Sequence, residues 1–298
     1  MNTTNTAPRP IAKSSTISYR TRKTILRIVY HVAVILIGFG MIYPLLWMVM
    51  SSFKPSGQIF TTAGSLIPSE FVTENYPNGW KGFAGYSFSN FFKNSFIISG
   101  LATFGALLSS PMIAFGFSRL RFKGRGLWFA MMMVTMMLPY QIVMIPQYII
   151  FYRIGWVGTI LPLVLPNFFG GAFFVFLIMQ FIDGIPRDLD EAAKIDGCSW
   201  YGIYARIILP LIVPAIVTCG IFAFMWKWDD FLASLLYLTS PIKYTVAVAL
   251  KLFSDPSSGS DWGAMFAMAT LSVLPIMIIF IFCQKYLVEG ISTEGLKG

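Results

Sequence analysis

Residues 94–118 read NSFIISGLATFGALLSSPMIAFGFS, a stretch that contains no Lys, Arg, Asp or Glu. A helix needs about 20 mostly apolar residues to cross the roughly 30 Å hydrocarbon core of a bilayer, and this stretch is long enough. Five further charge-free runs of similar length lie at 28–53, 126–152, 154–182, 207–226 and 262–284. The pattern predicts an all-α integral membrane protein with six transmembrane helices.

The overall composition supports this fold class. Hydrophobic residues make up 56% of the chain and charged residues only 12%, whereas a soluble globular domain has about 25% charged residues. The net charge of +9 does not indicate a nucleic-acid partner, because the basic residues lie at the ends of the apolar runs, where membrane topology places them. The three cysteines lack metal-ligand spacing and His31 is the single histidine, so we predict no metal site.

The Lys and Arg residues are distributed unevenly between the two sides of the predicted bundle. Of the 22 basic residues, 15 lie in segments 1–27, 119–125, 183–206 and 285–298, which share one side, and 7 lie in the connections on the other side. Because cytoplasmic segments are enriched in Lys and Arg, we expect both termini to be cytoplasmic. The predicted organisation is a basic N-terminal tail, a six-helix membrane domain (28–284) and a C-terminal tail.

Some apolar segments depart from a plain spanning helix. The run 28–53 is too long for the apolar core of a signal peptide, so we interpret it as an uncleaved first membrane helix. Segment 231–250 is short and interrupted by a lysine, and we do not count it as a span; it could be re-entrant, interfacial or helical outside the membrane. Helix-breaking residues in the third and fourth runs predict kinked or broken helices there. They are Pro139, Pro146, Pro162, Pro166, Gly170 and Gly171.

The connection 183–210, DGIPRDLDEAAKIDGCSWYGIYARIILP, is acidic although it lies on the basic side of the bundle. It reads as two short helices, with acids crowded into the first turn of the first helix, where the helix dipole favours anions. Gly197 is expected to end the first helix and Ser199 to cap the second. Adjacent alanines would let a partner approach closely. From these residues alone, a docking element and an amphipathic loop on the membrane surface are both open.

The spacing in this connection resembles a known family motif. Glu191-Ala192-Ala193 is followed by Gly197 after three residues and by the Ile-x-Leu-Pro sequence of 207–210 after nine more. This pattern resembles the "EAA" loop of permease subunits of binding-protein-dependent ABC importers. The segments 171–181 and 228–232 and the tail YLVEGISTEGLKG (286–298) are similar to the maltose-type oligosaccharide permeases, and the tail to the second of their two paired subunits.

The resemblance implies a subunit of the prokaryotic plasma (inner) membrane that pairs with a homologous permease, two cytoplasmic ATPase subunits and an extracytoplasmic sugar-binding protein. The implied ATPase-coupling residues, within or just after the loop 187–201, are Glu191, Ala192, Ala193, Asp196, Gly197, Leu209 and Pro210. The implied ATPase contacts of the C-terminal tail are Gly290, Gly295, Lys297 and Gly298. The implied contacts with the binding protein are Asp255, Ser257, Ser258 and Gly259.

The sequence predicts no catalysis and no cofactor in this chain. It contains no G-x-x-x-x-G-K-[ST] phosphate loop, so ATP and magnesium would be bound by the partner subunits. Three alternatives remain: an ABC importer permease for a non-sugar solute, an ion-coupled secondary transporter, and a structural scaffold or membrane-enzyme subunit. A secondary transporter usually keeps an ionisable group inside the membrane, and the six apolar runs contain no Asp, Glu, Lys or Arg.

Overall fold

The computed structural model describes residues 19–253 and 261–295. The chain divides into two compact units, Met1–Met48 and Val49–Gly298. In the described residues the regular structure is helical, and the one extended pairing is an isolated bridge between Phe83 and Tyr86. The α-helices are α1 (Tyr19–Ser51), α2 (Asn75–Trp80), α3 (Phe88–Arg119), α4 (Arg125–Met137), α5 (Tyr140–Arg153), α6 (Leu161–Val164), α7 (Ala172–Asp183), α8 (Asp188–Ile195), α9 (Trp200–Ile203), α10 (Leu209–Leu211), α11 (Val213–Trp228), α12 (Phe231–Tyr237), α13 (Val246–Phe253) and α14 (Trp262–Gly295).

These helices confirm the prediction of an all-helical membrane protein. By length and apolar composition, α1, α3, α14 and the stretch Leu161–Asp183 are each able to cross a membrane. Two helix pairs would each make a bent span: α4 with α5, at an angle of 103°, and Trp200–Leu211 with α11, at 73°. Among the described residues the number of candidate spans therefore lies between four and six.

The third and fourth apolar runs are broken, as their prolines and glycines predict. The chain leaves the helix after Met137, and Pro139 precedes the first turn of α5. The fourth run is not one helix over 154–182: it starts with turns in which Gly155 and Gly158 have positive φ, and Gly170, with φ of +86°, precedes α7. Positive φ is accessible to glycine at little cost, so these residues set where the helices end.

Several helices extend beyond the charge-free runs that predicted them. Helix α1 begins at Tyr19, α3 begins at Phe88, and α14 continues through residue 295. The absence of charge marks the part of a helix that lies in hydrocarbon, whereas capping groups decide where the helix ends. At the start of α3, for example, the Ser87 hydroxyl accepts a hydrogen bond from the backbone N–H of Ser89.

Helix α3 is the central element of the second unit and packs against both α7 and α11. Its buried face carries a row of small side chains, which allow helix backbones to approach closely inside a membrane. The Phe168 ring fits so closely against Gly105 that a β-carbon there would overlap it. The row consists of Ser95, Ser99, Ala102, Ala106, Ser110, Ala114 and Ser118. Its spacing of three or four residues was a readable signal in the sequence.

The segment left open in the sequence, 231–250, folds as two short helices, α12 and α13, neither long enough to span a membrane. Asp230 starts α12: one carboxylate oxygen accepts from the N–H of Ala233, and the other lies 3.2 Å from Lys227 Nζ. The start of α13 is held to α3, because Ser95 Oγ accepts a 2.8 Å hydrogen bond from the N–H of Val246. This segment is therefore attached to the first turns of α3.

Candidate functional site

The connection between α7 and α11 contains the two short helices that its sequence predicts, α8 and α9. A turn joins them at Gly197, which has φ of +81°, and the N–H of Cys198 donates to the carbonyl of Ala193 at 2.9 Å. Ser199 caps α9 by accepting a hydrogen bond from the N–H of Gly202 at 3.2 Å. The glycine and the serine thus occupy the two positions that their chemistry favours.

Helix α8 has one buried face and one exposed face. Asp190 and Ala193 are buried against the rest of the chain. Glu191, Ala192 and Ile195 are exposed, and the Ile195 side chain is 87% accessible. Since Ala193 faces inward, the small residue that a partner could approach is Ala192.

The other residues predicted for coupling lie around these helices. Asp196 and Gly197 are exposed in the turn. Leu209 and Pro210 lie in α10, where a π-helical segment, Tyr204–Ile208, leads into the 73° bend before α11. Pro210 has no N–H to donate to the preceding turn, which accounts for the irregular helix at this point.

A buried ion pair attaches α8 to the end of α3. The Nε atom of Arg119 lies 2.8 Å from Oδ2 of Asp190, and the two side chains are only 2% and 6% exposed. The contact lacks hydrogen-bond geometry, so it is an ion pair only. The Nη2 atom of the same arginine donates to the carbonyls of Ile182 at 3.0 Å and Ile185 at 2.7 Å. One guanidinium thus contacts α7, the following turn and α8.

A second arginine makes the reverse contact. Arg187, the residue before α8, donates from Nη2 to the carbonyl of Ser118 at 3.2 Å, near the end of α3. Sequence reasoning missed both contacts, because it treated Arg119 as a marker of topology and Asp190 as a dipole-favoured acid. A helical wheel of α8 would have placed Asp190 beside Ala193, on the face opposite Ile195.

Helix α9 packs on the same core. Ile203 is fully buried, and the ring of Tyr204 lies 5.3 Å from the ring of Phe115 in α3. The Lys194 ammonium group sits 3.6 Å from the centre of the Trp200 ring, which joins α8 to α9 across the turn. Ile203 and Tyr204 thus form an apolar face, and both short helices rest on the ends of α3, α7 and α11.

An open cleft of about 620 Å³ runs along α8. Its lining combines the buried ion pair with exposed charges from the segment after α3 and from the residues in and just before α8. These residues are Arg119, Leu120, Arg121, Phe122, Arg187, Asp190, Glu191, Lys194 and Trp200. Such a cleft is wide enough to receive a charged or aromatic side chain from another protein.

The remaining predicted sites are described only in part. Asp255, Ser257, Ser258 and Gly259 lie outside the described residues, as do Lys297 and Gly298. Gly290 and Gly295 belong to the last turns of α14 rather than to a non-helical tail. Asp261, next to the predicted binding-protein contacts, accepts hydrogen bonds at Oδ1 from the Ser56 hydroxyl and from the N–H of Ala264.

One buried lysine holds the connection between α1 and α2, toward the end of α3 opposite Arg119. Lys54 is only 2% exposed, and its Nζ donates to the carbonyls of Thr62 and Ser65 at 3.1 and 2.6 Å. The Asn75 amide donates to the carbonyls of Ser52 and Lys54. In the sequence Lys54 is only one of the seven basic residues on the less basic side, whereas in the structure it orders this connection.

Comparison with known proteins identifies relatives over most of the chain. A family model described as "Binding-protein-dependent transport system inner membrane component" matches residues 102–293, which include α8 and α9. The chain is 36% identical over 257 residues to the probable ABC transporter permease protein YurM of Bacillus subtilis, covering 86% of this chain and 84% of that protein. It is 31% identical over 275 residues to the trehalose/maltose transport system permease protein MalG of Thermococcus litoralis, with 91% and 97% covered.

A solved structure shows the same fold. A chain from the crystal structure of a bacterial ABC transporter involved in the import of the acidic polysaccharide alginate superposes with a TM-score of 0.76 at 21% sequence identity. The superposition covers 92% of this chain and 99% of that one. With the family match and the related permeases, it leads to one conclusion: the chain belongs to the binding-protein-dependent transport system inner membrane component family and is a multi-pass membrane permease of the ABC importer class.

Proposed function

We propose that this chain is the permease subunit of an ATP-driven, binding-protein-dependent importer of sugars, with di- or oligosaccharides as its substrates. Support for the substrate class comes from the names of relatives: permeases of arabinooligosaccharide, galactooligosaccharide and trehalose/maltose transport systems are 30–32% identical to this chain. Relatives of this kind also favour ATP-driven import over the ion-coupled and non-sugar alternatives.

The observation that carries the coupling role is the two-sided character of α8. Its inner face is attached to the membrane helices through Asp190 and Ala193, while its outer face leaves Glu191, Ala192 and Ile195 exposed. Tyr201, just after the turn, is also 75% exposed. Large apolar side chains exposed beside a charged group, outside the apolar runs, are typical of a protein–protein contact. We assign this face, Glu191, Ala192, Ile195 and Tyr201, to contact with an ATPase subunit and call it the docking face.

The mechanism follows from how the docking face is attached. ATP and magnesium are bound by the two partner ATPases, whose closure moves the docked helix α8. Because α8 and α9 rest on α3, α7 and α11, their displacement changes how these helices pack and switches the bundle between inward-facing and outward-facing states. The chain itself performs no bond chemistry in this scheme, and the energy enters through the docking face.

The other partners complete the assembly. A homologous permease supplies the second half of the passage, and an extracytoplasmic binding protein delivers the sugar near residues 255–259. The segment 290–298 lies against the ATPase pair, and both termini are cytoplasmic. A structural neighbour supports the contact with a binding protein: a bacterial alginate ABC transporter was crystallised in complex with an alginate pentasaccharide-bound periplasmic protein, and one of its chains superposes with a TM-score of 0.64 at 16% identity.

The proposal is tested by purifying the tagged, full-length chain in mild detergent and identifying co-purifying subunits by mass spectrometry. We expect an ATPase and a second permease in the wild type, and loss of the ATPase in Glu191→Lys and Ile195→Asp. The matched control is Ile67→Asp, since Ile67 is 70% exposed and lies in the connection between α1 and α2. Recovery of the wild-type chain alone, or an ATPase that stays bound to both docking-face variants, would contradict the proposal.

A further inference from the structure

The guanidinium of Arg119 lies where α3, α7 and α8 meet. A buried ion pair at this position is not needed for the stability of the fold. A buried ion pair pays a large desolvation cost, and replacing both partners by apolar residues of similar size is often neutral or stabilising. Stability alone therefore does not explain why an arginine and an aspartate, 2% and 6% exposed, occupy this position. A role in connecting α8 to the membrane helices would explain why these charged residues are present.

The attachment runs in both directions between the same two elements. Arg119, the last residue of α3, reaches Asp190 in the first turn of α8, and Arg187 before α8 reaches the carbonyl of Ser118 in α3. Two further bonds from Arg119 go to the carbonyls of Ile182 and Ile185. The hydrogen bonds that the two guanidinium groups donate to carbonyls are charge-assisted and directional, and the ion pair adds attraction between the same two helices, so a displacement of the start of α8 acts on the end of α3.

Helix α3 is suited to carry such a movement through the bundle. It is a continuous helix from Phe88 to Arg119, so its two ends are separated by its full length. At the Arg119 end it contacts α7 and α11, and at the other end Ser95 is bonded to α13, beside a cluster of buried aromatic residues. A displacement at Arg119 can thus reach the Phe88 end of α3 along one continuous helix.

We propose that Arg119 is a positioning residue that, together with Asp190, transmits displacement of the docking face to α3 and so couples ATP hydrolysis to transport. The proposal rests on the proposed function, because it requires an ATPase on the docking face. Its prediction is specific: loss of the contacts that the Arg119 guanidinium makes with Asp190, or with the carbonyls of Ile182 and Ile185, uncouples the importer, so that ATP is hydrolysed without a matching amount of solute moved. Loss of a merely stabilising contact would lower the amount of folded complex and leave the ratio of solute to ATP unchanged.

The test uses the complete importer in proteoliposomes, with its own ATPases, paired permease and binding protein. For each variant we measure thermal stability, binding-protein-stimulated ATP hydrolysis and solute transported per ATP. Asp190→Asn leaves the Arg119 charge buried without its counter-charge, so its stability is expected to fall. The double variant R119M/D190L removes both charges, and its stability is expected to return to the wild-type value. Its solute-to-ATP ratio should still fall by about five-fold or more, the lower end of typical coupling between sites.

The variant Arg119→Lys provides a second measurement should the double variant fail to fold. A lysine keeps the positive charge opposite Asp190, but its single ammonium group lacks the fork geometry that bonds the carbonyls of Ile182 and Ile185. We therefore expect near-normal stability with a lowered ratio. Matched controls are Asp188→Asn and Lys123→Gln, which remove exposed charges two and four residues along the chain from the pair and should leave the ratio unchanged.

Each outcome has one meaning. If the wild-type proteoliposomes show no ATP-driven uptake, the importer proposal fails and this inference fails with it. If the wild type transports, and R119M/D190L or Arg119→Lys moves as much solute per ATP as the wild type, the inference alone is overturned. A lowered ratio with ATP hydrolysis retained, absent in both control variants, establishes the positioning role.

Discussion

Gly197 is the residue whose backbone decides the shape of the docking connection. Its φ of +81° is strained for any residue with a β-carbon, although no atom lies within 4 Å of where that carbon would stand. We expect Gly197→Ala to destabilise the protein by about 1–2 kcal/mol through the left-handed backbone alone. Gly197→Asn should cost less, since asparagine tolerates this conformation better. Thermal unfolding of the purified protein in detergent measures both.

The matched control for Gly197 is Gly202, which lies in α9 with helical backbone. A β-carbon at Gly202 would make ordinary contacts of 3.6 and 3.8 Å, and alanine is the better helix former. Gly202→Ala should therefore be neutral or slightly stabilising. If both alanine variants lost the same stability, any added atom in this connection would be destabilising, and the positive φ of Gly197 would not be the cause.

At the scale of single residues, the sequence predicted what depends on local chemistry. The turn at Gly197 and the cap at Ser199 were both correct, because each follows from the residue and its neighbours along the chain. The pairing of Arg119 with Asp190 was not predicted, because it depends on how α3, α7 and α8 come together. The inward orientation of Ala193 belongs to the same category, since only the packed structure shows which face of α8 is covered.

Helix α3 is bonded to the start of α13 by Ser95, and Asn94 beside it donates to the carbonyls of Ile242 and Tyr244 just before α13. Ser95 Oγ accepts a buried 2.8 Å hydrogen bond from the N–H of Val246, so Ser95→Ala would leave that N–H without a partner. We expect a loss of about 1–3 kcal/mol, the cost of an unsatisfied buried donor. The measurement is thermal unfolding in detergent, in parallel with hydrogen exchange at the start of α13.

Ser99, one turn further along α3, provides the control for Ser95. It is equally buried, and its hydroxyl has no hydrogen-bond partner among the described residues. Ser99→Ala removes a polar atom without stranding a donor, so we expect no loss of stability. If the two alanine variants were equally stable, the Ser95 hydroxyl would not be what holds α13.

At the scale of elements, helix type was predictable and helix ends were less so. The breaks near Pro139 and Gly170 followed from residues that cannot continue a helix. The start of α3 at Phe88 did not follow, because charge marks the limits of hydrocarbon rather than of a helix. The split of 231–250 into α12 and α13 depends on Asp230 and Ser95, whose capping and bonding partners are fixed by the fold.

The orientation of the whole molecule is predicted by its basic residues and can be measured directly. In a cysteine-free background (C198S, C219A, C283A), single cysteines at Ile195 and Ile67 would each be well exposed, since these side chains are 87% and 70% accessible. We expect a membrane-impermeant maleimide to label Ile67→Cys in right-side-out vesicles and Ile195→Cys only in inverted ones. The chain is expressed without other subunits so that the docking face is free.

The cysteine-free chain should remain unlabelled in both kinds of vesicle. Labelling of both positions from the same side would contradict an odd number of membrane crossings between them and with it the predicted bundle. Labelling with the two sides exchanged would place the termini outside and overturn the assignment of the docking face to the cytoplasm.

At the scale of the whole molecule, class and family were within reach of the sequence. Charge-free runs such as 94–118 are a direct consequence of the bilayer as solvent, and the spacing around Glu191 is specific enough to indicate the family. The arrangement of the helices could not be predicted, because the row of small residues on α3 indicates which face is buried but not which helix packs against it.

The ion pair at the end of α3 can form only late in synthesis, after its arginine has been exposed for some time. Arg119 leaves the ribosome 66 residues before Ile185, which at roughly 5–20 residues per second is an interval of about 3–13 s. During that interval its charge can only face water or lipid headgroups, where, in the predicted orientation, it favours retention of the nascent segment on the cytoplasmic side. The desolvation cost of burying the charge is offset only after the following span and the start of α8 have been synthesised, because these supply Asp190 and the carbonyls. Translation therefore uses this arginine first as a topogenic signal, and the finished protein withdraws it from solvent.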